Sequence, residues 1–163
     1  MDEAAAHLQM APRYGRAYGG ERATLSAPYQ RGCHITMIGA ISIKKIEAAM
    51  YGRWSTNGEI FVQFLETQLL PILRKEHVVV MDNVSFHKVK QVSEVIKKVG
   101  AQLIYLPRYH PELNPIEEMW SKVKNMLRKL SARNLSDFQK AIKQSFEAVC
   151  PSDLFGWFQH AGY

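Results

Sequence analysis

One stretch in the middle of the chain constrains the fold more than any other. "HVVVMD" (His77 to Asp82) is a short, continuous apolar run ending in an acid. Runs of this kind fit a strand buried on both faces, as found inside a parallel or mixed sheet. Just beyond it, "HKVKQVSEVIKKVG" places Val89, Val92, Val95 and Ile96 on one helical face and stops at Gly100. "QLIYL" then reads as a second short strand. Strand, helix and strand in succession predict an α/β sheet of mixed strand direction. In such sheets ligands gather at the carboxyl ends of the strands, which is where Asp82 stands.

The flanks extend this pattern. The opening thirty residues are rich in Gly, Arg, Tyr and Pro and read as loop with a short strand. "CHITMIGAISI" and "KIEAAMYG" predict a hairpin. "NGEIFVQFLETQLLPILRKE" predicts one helix capped by Asn57, with Ile60, Phe61, Phe64, Leu65 and Leu69 at helical spacing. Helices are also expected from Pro115 to about Arg133, from Leu135 to Val149, and around "DLFGWF". At 163 residues, 47% of them hydrophobic, the chain has the length for one well-buried domain. No apolar run reaches the roughly 20 residues of a membrane span, no signal-peptide pattern opens the chain, and the two cysteines lack metal-ligand spacing. These features point to a cytoplasmic protein.

The net charge of +6 suggests a polyanionic partner, and its distribution is more telling than its size. Lys122, Lys124, Arg128, Lys129, Arg133, Lys140 and Lys143 face the single acid Asp137 in that segment. Nucleic-acid contact and a solvated helix face both fit this pattern. Arg13, Arg16 and Arg22 add basic groups near the start.

An acid at the end of a buried strand is costly unless it is paired or binds a metal, although "DNVSFH" also has turn chemistry suited to a helix cap. A second acidic stretch, "YHPELNPIEEMW", carries Glu112, Glu117 and Glu118. Asn114, Pro115 and Glu117 fit a helix start with a capping box. The apolar stripe of that helix runs through Ile116, Met119, Trp120, Val123, Leu127 and Leu130, with Glu117 and Glu118 flanking it on opposite sides. Helical phase does not choose between these two acids. Tyr105, Tyr109 and Trp120 read as packing residues rather than base-stacking ones.

The segment "VVVMDNVSFHKVKQVSEVIKKVGAQLIYLPRYHPELNPIEEMWSKVK" resembles the catalytic core of mariner-type transposases, especially their bacterial insertion-sequence relatives. In that family the second catalytic aspartate ends a strand and is followed by Asn and, a few residues on, by His, matched here by Asp82, Asn83 and His87. The family's third acid closes an L-P-x-Y-x-P-x-L-N-P-I-E motif, matched by "LPRYHPELNPIE", which ends at Glu117 with thirty-four residues between it and Asp82. "DE", then "YGRAYGGERATL" and "RGCHITMIGAIS", resemble the segment after the first catalytic aspartate and give that role to Asp2. "GWFQHAGY" resembles the family's C-terminal signature. Pro107-Arg108-Tyr109-His110-Pro111 departs from the family's P-P-Y-S-P.

The resemblance implies an RNase H-like mixed sheet flanked by helices, with Asp2 on the central strand. Most strand residues expected before Asp2, and the helix-turn-helix domains that precede the catalytic domain, are not in the sequence. The expectation is therefore a single DDE catalytic domain over residues 1–163 with a truncated first strand, either a fragment or the second reading frame of a split element. Asp2, Asp82 and Glu117 would hold two divalent ions, Mg²⁺ or Mn²⁺, about 3.5–4 Å apart, with Asp82 shared between them. The implied reaction is cleavage of double-stranded DNA at an element end, then attack of the freed 3′-OH on target DNA at a TA dinucleotide. Lys122, Lys124, Arg128, Lys129, Arg133, Arg13 and Arg16 would hold phosphates. Asn83 and His87 are candidates to support the site, and a homodimer is implied for synapsis. The rival reading is a catalytically inactive remnant that binds DNA or pairs with intact transposase.

Overall fold

The structure, a computed structural model, describes residues 1–27, 29, 32–88 and 90–163. Pro28, Gln30 and Arg31 of the Gly- and Arg-rich stretch, and Val89 of the expected helical face, lie outside the described residues.

Strands β1 (Asp2–His7), β2 (His34–Ile41) and β3 (Ile46–Gly52) form an antiparallel sheet with β2 in the middle. All six residues of β1 are paired, Asp2 opposite Gly39 and His7 opposite His34. Strands β4 (Val78–Met81) and β5 (Gln102–Tyr105) run parallel. The two sheets meet where the Met1 amino group donates to the Val80 carbonyl at 2.7 Å, laying the start of β1 beside β4. The strand directions are mixed, as the alternation of elements predicts.

Side chains alternate along a strand, so each face of the sheet gets its own core. On one face Ile38, Ala40, Ala48 and Met81 pack with Phe61, Phe64 and Leu65, and with Val92, Val95 and Ile96 of α2 (Lys90–Lys98). On the other face Ala4, Ala6, Ile35 and Met37 pack with Met119, Trp120 and Val123 of α3 (Pro115–Leu130) and with Phe138 and Ile142 of α4 (Leu135–Glu147). A last helix, α5 (Pro151–His160), packs on α3. Gly39 lets α3 sit close on the second face, because a Cβ there would lie 3.1 Å from the Trp120 ring and push it back. No helix among the described residues is long and apolar enough to cross a membrane.

Four expectations need correction. The helix starting at Asn57 is not continuous. Asn57 caps α1 (Gly58–Phe64) by accepting from the Ile60 amide at 2.9 Å, but the chain then widens into a π-helical turn at Leu65–Leu69 and tightens into a 3₁₀ turn at Leu70–Ile72. Pro71 is the cause: it has no amide hydrogen and its ring clashes with the carbonyl four residues back, so α-helical bonding cannot run through it. Strand β4 is buried on one face only, since Val78 is 50% exposed. Helix α3 stops at Leu130, which is itself exposed, because Ser131 adopts a left-handed conformation at φ 47°. Finally, Asn114 forms no capping box. Its side chain makes no cap bond to α3, and only its backbone carbonyl accepts from the Glu117 amide.

Candidate active site

Three elements deliver the acids. Asp2 opens β1 and, by strand alternation from Gly39 and Ala4, points to the α3 side of the sheet. Asp82 follows the last residue of β4. Glu117 lies in the first turn of α3. Asp82 and Glu117 line one cavity of about 430 Å³, with Asn83, Arg108, Tyr109 and His110 on its walls.

The acids feel one another. Asp2 is 6% exposed, and burial raises its carboxyl to about 7, with the charges of Glu3, Glu117 and Asp82 adding to the effect. Burial also raises Glu117; Lys124 pulls it down, while Asp82 and Glu3 push it up. Glu118, one residue on, is exposed as Glu117 is, but does not line the cavity. Glu112 is ion-paired with His110 at 2.8 Å, and that hydrogen bond lowers its carboxyl. Helix phase leaves Glu117 and Glu118 equivalent; in space Glu117 shares the cavity wall with Asp82 and Glu118 does not.

His87 lies behind Asp82 with no solvent exposure. Its Nδ1 is 2.5 Å from Asp82 Oδ1 and its Nε2 is 3.1 Å from Glu3 Oε2. Burial opposes the imidazolium, but the contacts to Asp82 and Glu3 outweigh it and raise the ring to about 9. Glu3 was not among the residues that sequence reasoning selected. The signal was present in the "DE" pair, since consecutive strand residues point to opposite faces and a second acid on β1 must reach a different partner. Asn83 Oδ1 is buried without a hydrogen-bond partner among the described residues.

The basic residues divide into two groups. Lys122 is ion-paired with Asp153 of α5, and the Arg133 guanidinium donates to the carbonyls of Leu8, Met10 and Ala132. Lys124 lies close enough to act on the charge of Glu117. Arg128 donates to Asn125 and feels the like charge of Arg13, while Arg16 and Lys129 are exposed. Trp120 is packed, as expected, and Tyr105 donates its hydroxyl to the His87 carbonyl. Tyr109 is not packed: it is 94% exposed at the rim of the acidic cavity, with φ of 64°. A bulky residue in that region is strained.

Among the described residues, no three His, Cys, Asp or Glu side chains stand close enough together to hold a metal ion. By chemistry the carboxylates suit a hard divalent cation such as Mg²⁺ or Mn²⁺. Such a cation would offset the repulsion that Glu117 and Asp82 impose on Asp2.

The class is set by a layered α/β domain with acids at the start of β1, just past the end of β4 and in the first turn of α3. A profile of the DDE superfamily endonucleases matches residues 1–139, and the chain belongs to that family. In fold it is similar to the Mos1 transposase in a paired-end complex with the left transposon end, at TM-score 0.79 and 17% identity over 97% of this chain. It is similar also to the Mos1 mariner paired-end complex with Mn, at TM-score 0.78 and 15% identity over 97% of this chain. The Mos1 catalytic domain with raltegravir and Mg aligns over 77% of this chain and 69% of its own, at TM-score 0.67 and 13% identity. The chain spans about half the length of the Mos1 chains in the two paired-end complexes, covering 50% of each. No curated protein matches the sequence.

Proposed function

We propose that this chain is the catalytic domain of a DNA transposase, cutting a DNA strand at an element end and joining the freed 3′-OH to target DNA. The observation that carries the reading is that Asp82, past the end of β4, and Glu117, in the first turn of α3, line one cavity, with Asp2 at the start of β1 close enough to feel both charges. Membership of the endonuclease family and the Mos1 fold support it. Asp2, Asp82 and Glu117 would hold one or two Mg²⁺ or Mn²⁺ ions, whose contribution when bound is to stabilise the charge that develops on the scissile phosphate. Asp82 and Glu117 line the same cavity. Lys124, Arg128, Arg13, Arg16 and Lys129 retain charge for DNA phosphates, a salt-sensitive contribution. Lys122 and Arg133 serve first as internal ties, so their loss would act on stability before DNA affinity. Two chains acting together at paired ends fit this role.

The test is nicking of supercoiled DNA with Mg²⁺ or Mn²⁺ present. Asp2→Ala, Asp82→Ala and Glu117→Ala each abolish it, while Glu118→Ala stays within about twofold of the parent, as expected for a surface substitution away from the acids. Loss on changing Glu118 with none on changing Glu117 would sink the assignment. A second reading, a DNA-binding remnant without catalysis, draws on the fact that no metal-holding cluster forms among the described residues. Metal-dependent cleavage by the 163-residue chain would exclude it.

A further inference from the structure

His87 occupies the 3₁₀ turn Ser85–Lys88, just beyond Asp82. Its two ring nitrogens face carboxylates from opposite sides of the β1–β4 junction, Asp82 at 2.5 Å and Glu3 at 3.1 Å. The ring lies against Phe61 of α1 with centroids 4.2 Å apart, and the His87 carbonyl accepts a hydrogen bond from the Tyr105 hydroxyl at 2.8 Å. β1, α1, β5 and the turn itself therefore fix the imidazole in position and in rotation. Asp2 and Glu3 are neighbours on β1 and point to opposite faces, so one strand supplies an acid to the α3 side of the sheet and a second acid to His87 on the other side.

The Asp82 side chain is 36% exposed, yet its Oδ1 is buried at ion-pair distance from His87 Nδ1, which also approaches the Asp82 backbone carbonyl at 3.4 Å; His87 is the group beside this otherwise unbonded oxygen. The accessible part of the carboxylate therefore lies away from Oδ1. We propose that Glu3 and His87 are positioning residues for Asp82: the Glu3–His87 pair takes up Oδ1 and fixes the carboxylate, so that Asp82 presents a divalent cation with one oxygen rather than two. The inference rests on the reading of Asp82 as a metal ligand. Groups that orient a ligand in this way typically change metal affinity by about 10–100-fold when removed. Glu3 would act through His87 and would not itself reach the cation.

The experiment has two arms on the full 163-residue chain. In the first, long-range ¹H–¹⁵N spectra of the His87 ring should show both nitrogens bearing hydrogen-bonded protons. Glu3→Gln should perturb the Nε2 proton and leave the Nδ1 proton in place. In the second arm, Mn²⁺ affinity is measured by titration. Glu3→Gln, at a half-buried site that tolerates an isosteric amide, should weaken Mn²⁺ binding about tenfold or more with an unchanged far-UV spectrum, and His87→Gln should do the same. If Asp82→Ala abolishes Mn²⁺ binding while Glu3→Gln and His87→Gln leave it unchanged, the positioning role is wrong and the metal reading stands. If Asp82→Ala leaves Mn²⁺ binding intact, the metal reading itself fails, whatever the ring spectra show. Absence of the Nε2 proton signal in the parent chain overturns the bridge directly.

Discussion

Two cavities of nearly equal volume share the residue Asn114, and they are chemically opposite. One, about 430 Å³, is walled by Asp82, Glu117 and Arg108. The other, about 410 Å³, is walled by Val78, Ile104, Leu69, Ile72 and Phe158. Both are served by β4: the strand's own residues border the apolar one, and the acid just past its end borders the polar one. Size therefore does not mark the candidate site. Acids brought together from separate elements, one of them past the end of a strand, do. The apolar cavity is the consequence of a strand whose second face is left partly uncovered.

This contrast can be broken in several ways. The largest effect is expected from Leu69→Ala on the apolar wall, which should cost about 2–5 kcal/mol in chemical denaturation and leave Mn²⁺ affinity unchanged. A loss of Mn²⁺ binding in that variant would show that the two cavities are not separate. Next, Mn²⁺ at about a hundred times its dissociation constant should stabilise the parent chain by about 2.7 kcal/mol. Asp82→Ala should abolish that increment and Leu69→Ala should keep it. A third effect follows from Asp2, whose carboxyl is raised to about 7. Between the ordinary aspartate value, about 4, and that raised value, the folded chain holds a proton that the unfolded chain has released. Its contribution to stability is therefore present below that window and lost as pH rises through it. Metal-free melts of Asp2→Asn should fall less with pH across the window than those of the parent, and identical slopes would refute the shift. The smallest effect is expected from Val78→Ser, within about 0.5 kcal/mol, because half of that side chain already meets solvent.

Much of the fold was legible because its signals are local. The apolar run at β4, the Gly100 stop, the Asn57 cap and the hairpin at β2 and β3 each depend on neighbours in sequence, and each is present. What was illegible depends on distant partners. Lys122 and Arg133 read as free basic groups, but their partners, Asp153 and the carbonyls of Leu8 and Met10, come from other elements. Tyr109 read as packing because nothing local says that its loop projects it outward. The capping box at Asn114 was a sound local pattern, but the buried Asn114 side chain makes no cap bond to α3. Helical phase alone left Glu117 and Glu118 level, and the motif favoured Glu117 before the structure gave that residue its neighbours. Glu3 was overlooked because its partner, His87, is 84 residues away along the chain.

The contact between Gly39 and Trp120 reaches further than packing. Gly39 is the cross-strand partner of Asp2, and Trp120 stands one turn beyond Glu117 on α3. The ring resting on that glycine is thus a spacer that sets how near α3 may come to β1, and with it the gap between two acids. A single added methyl at Gly39 would act as a shim, widening that gap from underneath without touching either carboxylate. The width of the candidate site is gauged by a hydrogen atom on the central strand of its sheet.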